Sequence, residues 1–447
     1  MTDPTPLPSA GNPLHVLIPE DITAHNHGEA AILYGIRAAL EEEGPVRISL
    51  CTGDAEQDAR AYGSEIELIP DNVVSGSSPM RRWLREATLF CRHVLFASVC
   101  FLFGRRASRW FRAPLWKAYF RADLIVFGHD NVLVGRTRLS HLLVPVLARR
   151  LGIPCVVYAG TVGPFRGPLS RRLIGWLLRR TDLVTLREPR SLENARRLVG
   201  SERPPVRLAI DPAFLMPPAS EPRVLEILRE NGIPADARLV AMTTSAEMAR
   251  RHAAAQGRDL RDGEDLYIRE RAELADRLVE KGFWVVLLPH CVEGTGRRND
   301  YLTNRKLAGF ARHPERICLL PNRYAAQELK GLIGRCRMLV AERTHSMIAA
   351  ASMAVPLVGI SSAPTGTKTR GILGESMGLQ DWLLDVESLT RQGLEQTVDR
   401  CLDQADAIRA GLQARLPEAR RLARLPCRLA LELVAARRPT ARRAEPG

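Results

Sequence analysis

The sequence predicts an α/β protein made of two Rossmann-like domains facing a cleft. Three observations carry that expectation. Short apolar runs alternate with helix-period segments along the chain, as in parallel βαβ units. The alternation restarts after a Pro-rich bridge near residue 217. In the second half, one apolar run turns directly into an apolar helix through a charged junction.

In the first half, Leu14-His15-Val16-Leu17-Ile18 reads as the opening strand, and the loop Thr23–Glu29 leads into a helix over 30–43. Strands follow at 46–50, 65–69 and 124–127, then a helix at 139–150 and strands at 155–158, 183–186 and 206–210. The second series has strands at 239–242, 284–288, 317–320, 338–340 and 356–360, separated by helices. Met216-Pro217-Pro218-Ala219-Ser220-Glu221-Pro222 reads as the linker. The expected organisation is therefore an N-terminal domain over 1–216, a linker at 217–222 and a C-terminal domain over 223–430. Residues 431–447, rich in Arg and Pro, read as a frayed basic tail. Such a two-domain architecture is glycosyltransferase-B-like.

With 447 residues, 45% hydrophobic and 26% charged, the chain has the composition of a soluble protein with two or three ordinary cores. Nine cysteines without a CxxC pair or metal-ligand spacing suggest neither a disulfide framework nor a zinc site, so no metal is expected. Residues 1–13 are polar and Pro-rich, unlike a signal peptide, and a cytoplasmic location is expected. The formal net charge of +14 is almost entirely arginine, the lysines being Lys117, Lys281, Lys306, Lys330 and Lys368. That bias reflects genome base composition, and no helix-turn-helix, zinc finger or aromatic RNA motif accompanies it. Nucleic acid is not an expected partner.

One segment breaks the α/β pattern. Ala87 to Phe103 is nearly all apolar, with Arg81, Arg82, Trp83 and Arg85 before it and Arg105, Arg106, Arg109, Trp110, Phe111, Arg112, Trp116 and Lys117 after it. The uninterrupted run is too short to span a bilayer, but the cationic and aromatic flanks suit a helix lying in an anionic membrane interface. A helical hairpin capping the first domain, or a dimer contact, explains the same pattern. Both readings stand at this level.

The most informative stretch is Arg337 to His345 followed by Ser346 to Ser352: a strand, then Arg343 and His345 at the turn, then an apolar helix. In an open α/β sheet ligands bind at the carboxyl ends of strands, and a helix start offers unpaired N–H groups and a positive dipole end. An anion is the expected guest.

Three segments together resemble the polysaccharide pyruvyl transferase family. The first is Asn26-His27-Gly28-Glu29-Ala30-Ala31-Ile32-Leu33, similar to the family's N-x-G-D-x-A-I opening with Glu29 in place of Asp. The second runs from Leu151-Gly152-Ile153-Pro154 through Tyr158-Ala159-Gly160-Thr161-Val162-Gly163-Pro164-Phe165 to Asp182–Ser191 and Asp211-Pro212-Ala213-Phe214. The third is Arg343-Thr344-His345 with Val355–Ile360 and Lys368. His129-Asp130-Asn131 follow Gly128 where the family usually has a glycine run, which is expected to narrow the floor of the acceptor pocket.

The resemblance implies transfer of pyruvate from phosphoenolpyruvate to two hydroxyls of a saccharide, with phosphate lost and no cofactor beyond that co-substrate. It implies a place in cell-surface polysaccharide synthesis, with an acceptor tethered to lipid at the inner membrane face. On this basis His345 is the expected proton-transfer residue, Arg343 the expected anion fork and Glu29 a base. Arg187 is expected to add a second fork from the other domain and Lys368 a compact charge. Asn26, Gly28, Gly160 and His290 are expected to line the substrate site, while Asp211 reads as structural. Each has an ordinary alternative: an ion pair for the arginines, a cap for His345, a first-turn carboxylate for Glu29, and an exposed loop for Lys368. Rival functions are a glycosyltransferase using a sugar nucleotide, or a non-catalytic anion- or saccharide-binding protein of the same fold.

Overall fold

The computed structural model describes residues 12–70, 79–128, 133, 139–165, 167–200, 202–292, 299–362 and 367–437. The chain forms two compact units. The first takes in the described residues up to Ala24, Ile36–Pro212 and those from Leu422 on; the second takes in His25–Gly35 and Ala213–Arg421.

The first unit is built on seven parallel strands: β1 (Leu14–Asp21), β2 (Val46–Thr52), β3 (Ile66–Pro70), β4 (Leu124–Phe127), β5 (Cys155–Gly160), β6 (Leu183–Leu186) and β7 (Val206–Leu208). Helices α1 (His27–Glu41), α2 (Ala55–Tyr62), α3 (Pro79–Phe103), α4 (Pro114–Arg121), α5 (Leu139–Leu151), α6 (Pro168–Leu178) and α7 (Pro189–Val199) occur along this part of the chain. The strand order is β3-β2-β1-β4-β5-β6-β7, so the winding direction reverses between β1 and β4. The central strands β4, β5 and β6 are buried at every residue, because helices cover both faces of a parallel sheet.

The second unit has six parallel strands: β8 (Leu239–Thr243), β9 (Trp284–Leu287), β10 (Ile317–Leu319), β11 (Met338–Ala341), β12 (Leu357–Ser361) and β13 (Leu383–Asp385). Its helices are α8 (Glu221–Glu230), α9 (Ala246–Ala255), α10 (Leu260–Glu280), α11 (Asp300–Phe310), α12 (Ala326–Gly334), α13 (Thr344–Ser352), the short α14 (Thr367–Thr369) and α15 (Arg391–Asp403). The order β10-β9-β8-β11-β12-β13 reverses between β8 and β11. Two doubly wound, Rossmann-like units are thus present, as the alternating pattern predicts. Strand β13 is not among the strands expected from the sequence.

Several boundaries differ from expectation. The first helix begins at His27, before Ala30, because Asn26 caps it. The C-terminal segment is no frayed tail through residue 437: α16 (Ala405–Arg437) continues to that point, and only 438–447 lie outside the described residues. The cause is an apolar stripe at helical spacing, in which Leu412, Leu416, Ala419, Ala423, Cys427, Ala430 and Val434 are buried. Arg437 closes the helix by pairing with Asp182. The Pro-rich bridge is held by one backbone and one side-chain bond, Ala219 N donating to Gln327 O at 2.8 Å and Lys330 Nζ donating to Met216 O at 2.6 Å.

The apolar insert is helical. In α3, His93, Phe96 and Cys100 form a buried stripe at spacings of three and four, facing α5 and the core of the first unit. Phe96 is the anchor, its ring centroid lying 4.3 Å from Trp116, 4.9 Å from Phe111 and 5.6 Å from both Tyr119 and Phe120. The side chains of Arg81, Arg82, Trp83 and Arg85 lie outside the described residues. Replacing Phe96 with Ala is expected to cost about 3–5 kcal/mol of unfolding free energy, whereas Leu95→Ala, on the exposed face, should change it by no more than about 0.5 kcal/mol. Urea denaturation of the two variants checks the assignment of faces.

Candidate functional site

The site is assembled at the carboxyl end of β11, beside the reversal point of the second sheet. Strand β11 ends at Ala341, Glu342 and Arg343 form the turn, and α13 starts at Thr344. Glu342 is buried, accepting from Ser245 N at 2.7 Å, Tyr267 Oη at 2.7 Å and Arg271 Nε at 3.3 Å. Burial raises its pKa despite Arg271 nearby. The Arg271 guanidinium stacks over the Tyr267 ring at 3.8 Å. This buried network fixes the turn that aims the next three residues.

Arg343 is held by a two-bond ion pair, Nε to Asp300 Oδ2 at 3.1 Å and Nη2 to Asp300 Oδ1 at 2.6 Å. Asp300, only 1% exposed, also accepts from Cys291 N at 2.8 Å and His290 N at 3.3 Å. Proximity to Asp300 raises the Arg343 pKa against the opposing effect of burial, so the guanidinium stays charged. Its Nη1 edge makes no hydrogen bond among the described residues, leaving one edge of a fixed fork for an incoming anion.

The loop after β9 brings in the second group. His27 N donates to His290 O at 3.1 Å, Val292 N donates to His25 O at 2.9 Å, and Asn26 bridges Cys291. These bonds explain why residues 25–35 belong to the second unit although they follow β1. The His27 and His290 rings meet edge to face at 5.9 Å. Both are buried, and His27 Nε2 and both ring nitrogens of His290 lack hydrogen-bond partners among the described residues. Burial lowers the His27 pKa to about 4, with His25 adding to the effect. Burial also pushes His290 well below the usual range, aided by His27, His345 and Arg343. Both imidazoles are therefore neutral near pH 7, and the His290 ring nitrogens, without partners among the described residues, are available to hydrogen-bond a ligand.

Gly28 stands directly against His345. A Cβ there would overlap the imidazole, lying 2.8 Å from Cγ and still closer to Nδ1, so only glycine lets the start of α1 approach the start of α13. Asn26 and Glu29 form a local cap: Gly28 N donates to Asn26 Oδ1 at 3.1 Å, and Asn26 Nδ2 donates to Glu29 Oε1 at 3.0 Å. Lys368 lies in α14, half-buried, and its neighbour Thr369 hydrogen-bonds Thr344 through the two hydroxyls at 2.8 Å. The start of α13 is thus next to the Lys368 segment. Among the described residues, His345, Arg343, His290, Gly28, Asn26, Glu29 and Lys368 all belong to the second unit.

The other two expected site residues belong to the first unit. Arg187, at the end of β6, is 1% exposed; its guanidinium pairs with Asp211 and donates from Nε to Thr161 Oγ1 at 3.0 Å. Gly160 packs under Leu133, whose Cδ1 would lie 2.8 Å from an added Cβ, and its carbonyl accepts from Arg187 N at 3.3 Å. Residues 129–131, where a narrowed acceptor floor is expected, lie outside the described residues.

Sequence reasoning does not single out His27 or Asp300. His27 is visible only as the variable position of the Asn26–Glu29 motif, and Asp300 carries no motif at all. Its role depends on a contact across 43 positions. No group of three His, Cys, Asp or Glu placed to hold a metal ion occurs among the described residues.

Protonation of the buried histidines has a thermodynamic consequence. Below about pH 6.5 the unfolded chain takes up protons that native His27 refuses until about pH 4, so stability falls as pH drops through that window. At about 1.4 kcal/mol per unit, His27 alone contributes on the order of 3 kcal/mol. Urea midpoints measured from pH 7 to pH 4 should fall less steeply in His27→Asn than in the parent chain; equal slopes would contradict the assignment.

Comparisons with known proteins fit this geometry. A curated relative, the amylovoran biosynthesis protein AmsJ of Erwinia amylovora, is 25% identical over 277 residues. The match spans 62% of this chain and 64% of that protein's length, short of two thirds. Among solved structures, an epimerase described as a UDP-N-acetylglucosamine 2-epimerase from Listeria monocytogenes superposes with a TM-score of 0.56 at 13% identity, covering 98% of this chain and all of that one. A glycosyltransferase from Rickettsia africae gives a TM-score of 0.55 at 12% identity over 96% of this chain and all of its own. At such identities these two show the fold alone, a glycosyltransferase-B-like pair of Rossmann units. The sequence profile of the polysaccharide pyruvyl transferase family matches residues 26–364, from the Asn26 cap to beyond Arg343 and His345, and the chain belongs to that family.

Proposed function

We propose that the protein transfers pyruvate from phosphoenolpyruvate to two hydroxyls of a saccharide, as a cyclic ketal, during synthesis of an exported polysaccharide. Family membership and the exopolysaccharide relative support the setting. The observation that carries the chemistry is the Asp300-locked Arg343 fork beside His345 at the start of α13, with neutral His290 buried alongside.

In this reading the free edge of Arg343, the first N–H groups of α13 and the Lys368 ammonium hold the donor's carboxylate and phosphate. His345 gives a proton to the methylene carbon, generating an oxocarbenium-like centre at the carbon bearing the phosphate ester. The first hydroxyl adds to that centre and its proton passes to Glu29. The C–O bond to phosphate then breaks, with Arg343 stabilising the leaving charge. The second hydroxyl adds to the resulting cation and closes the ketal. Of the two hydroxyl protons, one balances that delivered to carbon and the other leaves with hydrogen phosphate. His290, being neutral, acts as a hydrogen-bond partner of the substrate and adds no charge. Gly28 gives His345 room, and Asn26 holds Glu29 in place. Arg187 and Gly160 support the first unit, since Asp211 already occupies the Arg187 guanidinium.

The test is phosphate release from phosphoenolpyruvate in the presence of saccharide acceptors, with the new ketal methyl followed by proton NMR. His345→Ala should lower kcat by about 10²–10⁴-fold. Arg343→Lys should lose at least about tenfold in kcat/KM, because a single ammonium cannot keep the two-bond pair with Asp300 and still face the donor. Turnover of a sugar nucleotide with no phosphoenolpyruvate consumption would overturn the proposal in favour of glycosyl transfer. No turnover of either donor, with phosphoenolpyruvate still bound, would identify a binding protein.

A further inference from the structure

We infer that the solvent face of α3, with the arginine-rich turn after it, is a docking surface for an anionic phospholipid bilayer. The helix has two faces of opposite commitment. His93, Phe96 and Cys100 are buried in the first unit, while Leu84, Val94, Leu95, Phe101 and Leu102 point to solvent, the last two 69% and 71% exposed. Between Leu84 and Leu102 the other exposed positions among the described side chains are Glu86, Thr88, Cys91, Arg92 and Ser98, of which only Glu86 and Arg92 are charged. At the helix end, Phe103 and Trp110 are also exposed and meet edge to face at 5.1 Å. A soluble chain rarely leaves so much contiguous large apolar surface in water, and this one concentrates its exposed large hydrophobics on one helix and its end.

Charge selects the occupant. From Pro79 to Arg121 the sequence has ten arginines and lysines against a single acidic residue, Glu86. Arg106, Arg109, Arg112 and Lys117 are exposed, and none is paired with a carboxylate among the described residues. Elsewhere exposed arginines of this chain are commonly paired, as with Arg60, Arg197, Arg323, Arg391 and Arg421. An apolar face bordered by unpaired cations, with a Trp at the boundary, matches a headgroup layer of negative phosphates over acyl chains. By length and composition Glu86–Arg109 is apolar enough to cross a bilayer, with mean hydropathy 1.7. Crossing would pull Phe96 out of its contacts with Trp116, Phe111, Tyr119 and Phe120, so the helix lies in the interface plane with Phe96 still packed.

The full chain is tested by flotation with vesicles of phosphatidylcholine alone and with a quarter phosphatidylglycerol, at low salt and at about 0.5 M salt, where screening is strong. Binding to the anionic vesicles should exceed binding to neutral ones at least about tenfold and should fall with salt. Leu95→Glu/Leu102→Glu and, separately, Arg106→Glu/Arg109→Glu should each weaken it about tenfold or more, with unchanged circular dichroism because all four positions are exposed. Brominated lipid should quench tryptophan emission in the parent chain and do so less in Trp110→Phe. Absence of binding to anionic vesicles at low salt overturns the inference, as does binding that neither double variant alters. A dimer that Leu95→Glu/Leu102→Glu converts to monomer, with no vesicle binding, would reassign the face to self-association. None of these readouts depends on the transferase reaction.

Discussion

The Arg343–Asp300 pair is the contact on which the site depends. It joins the end of β11 to the start of α11, and Asp300 also accepts the N–H groups of His290 and Cys291. The loop after β9 is thereby fixed, and that loop in turn pairs with His25, Asn26 and His27. A single buried carboxylate therefore sets the position of an arginine from one strand end, a histidine from another and the capping turn of α1. Removing one partner of such a pair leaves an uncompensated buried charge, which costs far more than an exposed ion pair is worth. The pair also sets the direction of the guanidinium.

Around that pair the site separates charge from polarity. Cationic character is concentrated in Arg343, kept protonated by Asp300, while His27 and His290 are held neutral by burial and by their cationic surroundings. A neutral imidazole beside a fixed guanidinium can accept or donate a hydrogen bond without adding to electrostatic repulsion of a proton in transit. Beneath it, Glu342 with Arg271 and Tyr267 satisfies the turn from inside the fold. The polar network below holds the turn, and among the described residues the His290 ring nitrogens above it have no hydrogen-bond partner.

Helix α3 shows the same division on a larger scale. Its inner stripe is locked by aromatic contacts centred on Phe96, while its outer stripe leaves Leu84, Leu95, Phe101 and Leu102 largely exposed. Folding of the first unit accounts for one face only. Among the described residues, Arg106, Arg109 and Arg112 pair with no carboxylate, where other exposed arginines commonly form ion pairs.

The sequence by itself determined the doubly wound class and the position of nearly every strand, because burial on both sheet faces demands the continuous apolar runs visible at 124–127, 155–158, 183–186 and 338–340. It also placed Arg343 and His345 at a strand-to-helix junction, since that is a local property of a few adjacent residues. It could not show that residues 431–437 stay helical, as their stripe becomes an anchor only when a surface exists to bury it. Nor could it reveal that Asp300 holds Arg343, that His27 packs against His290, or that Arg187 is already engaged by Asp211. Those pairings join residues 24 to 263 positions apart, and only tertiary packing sets their distance, their burial and hence their protonation.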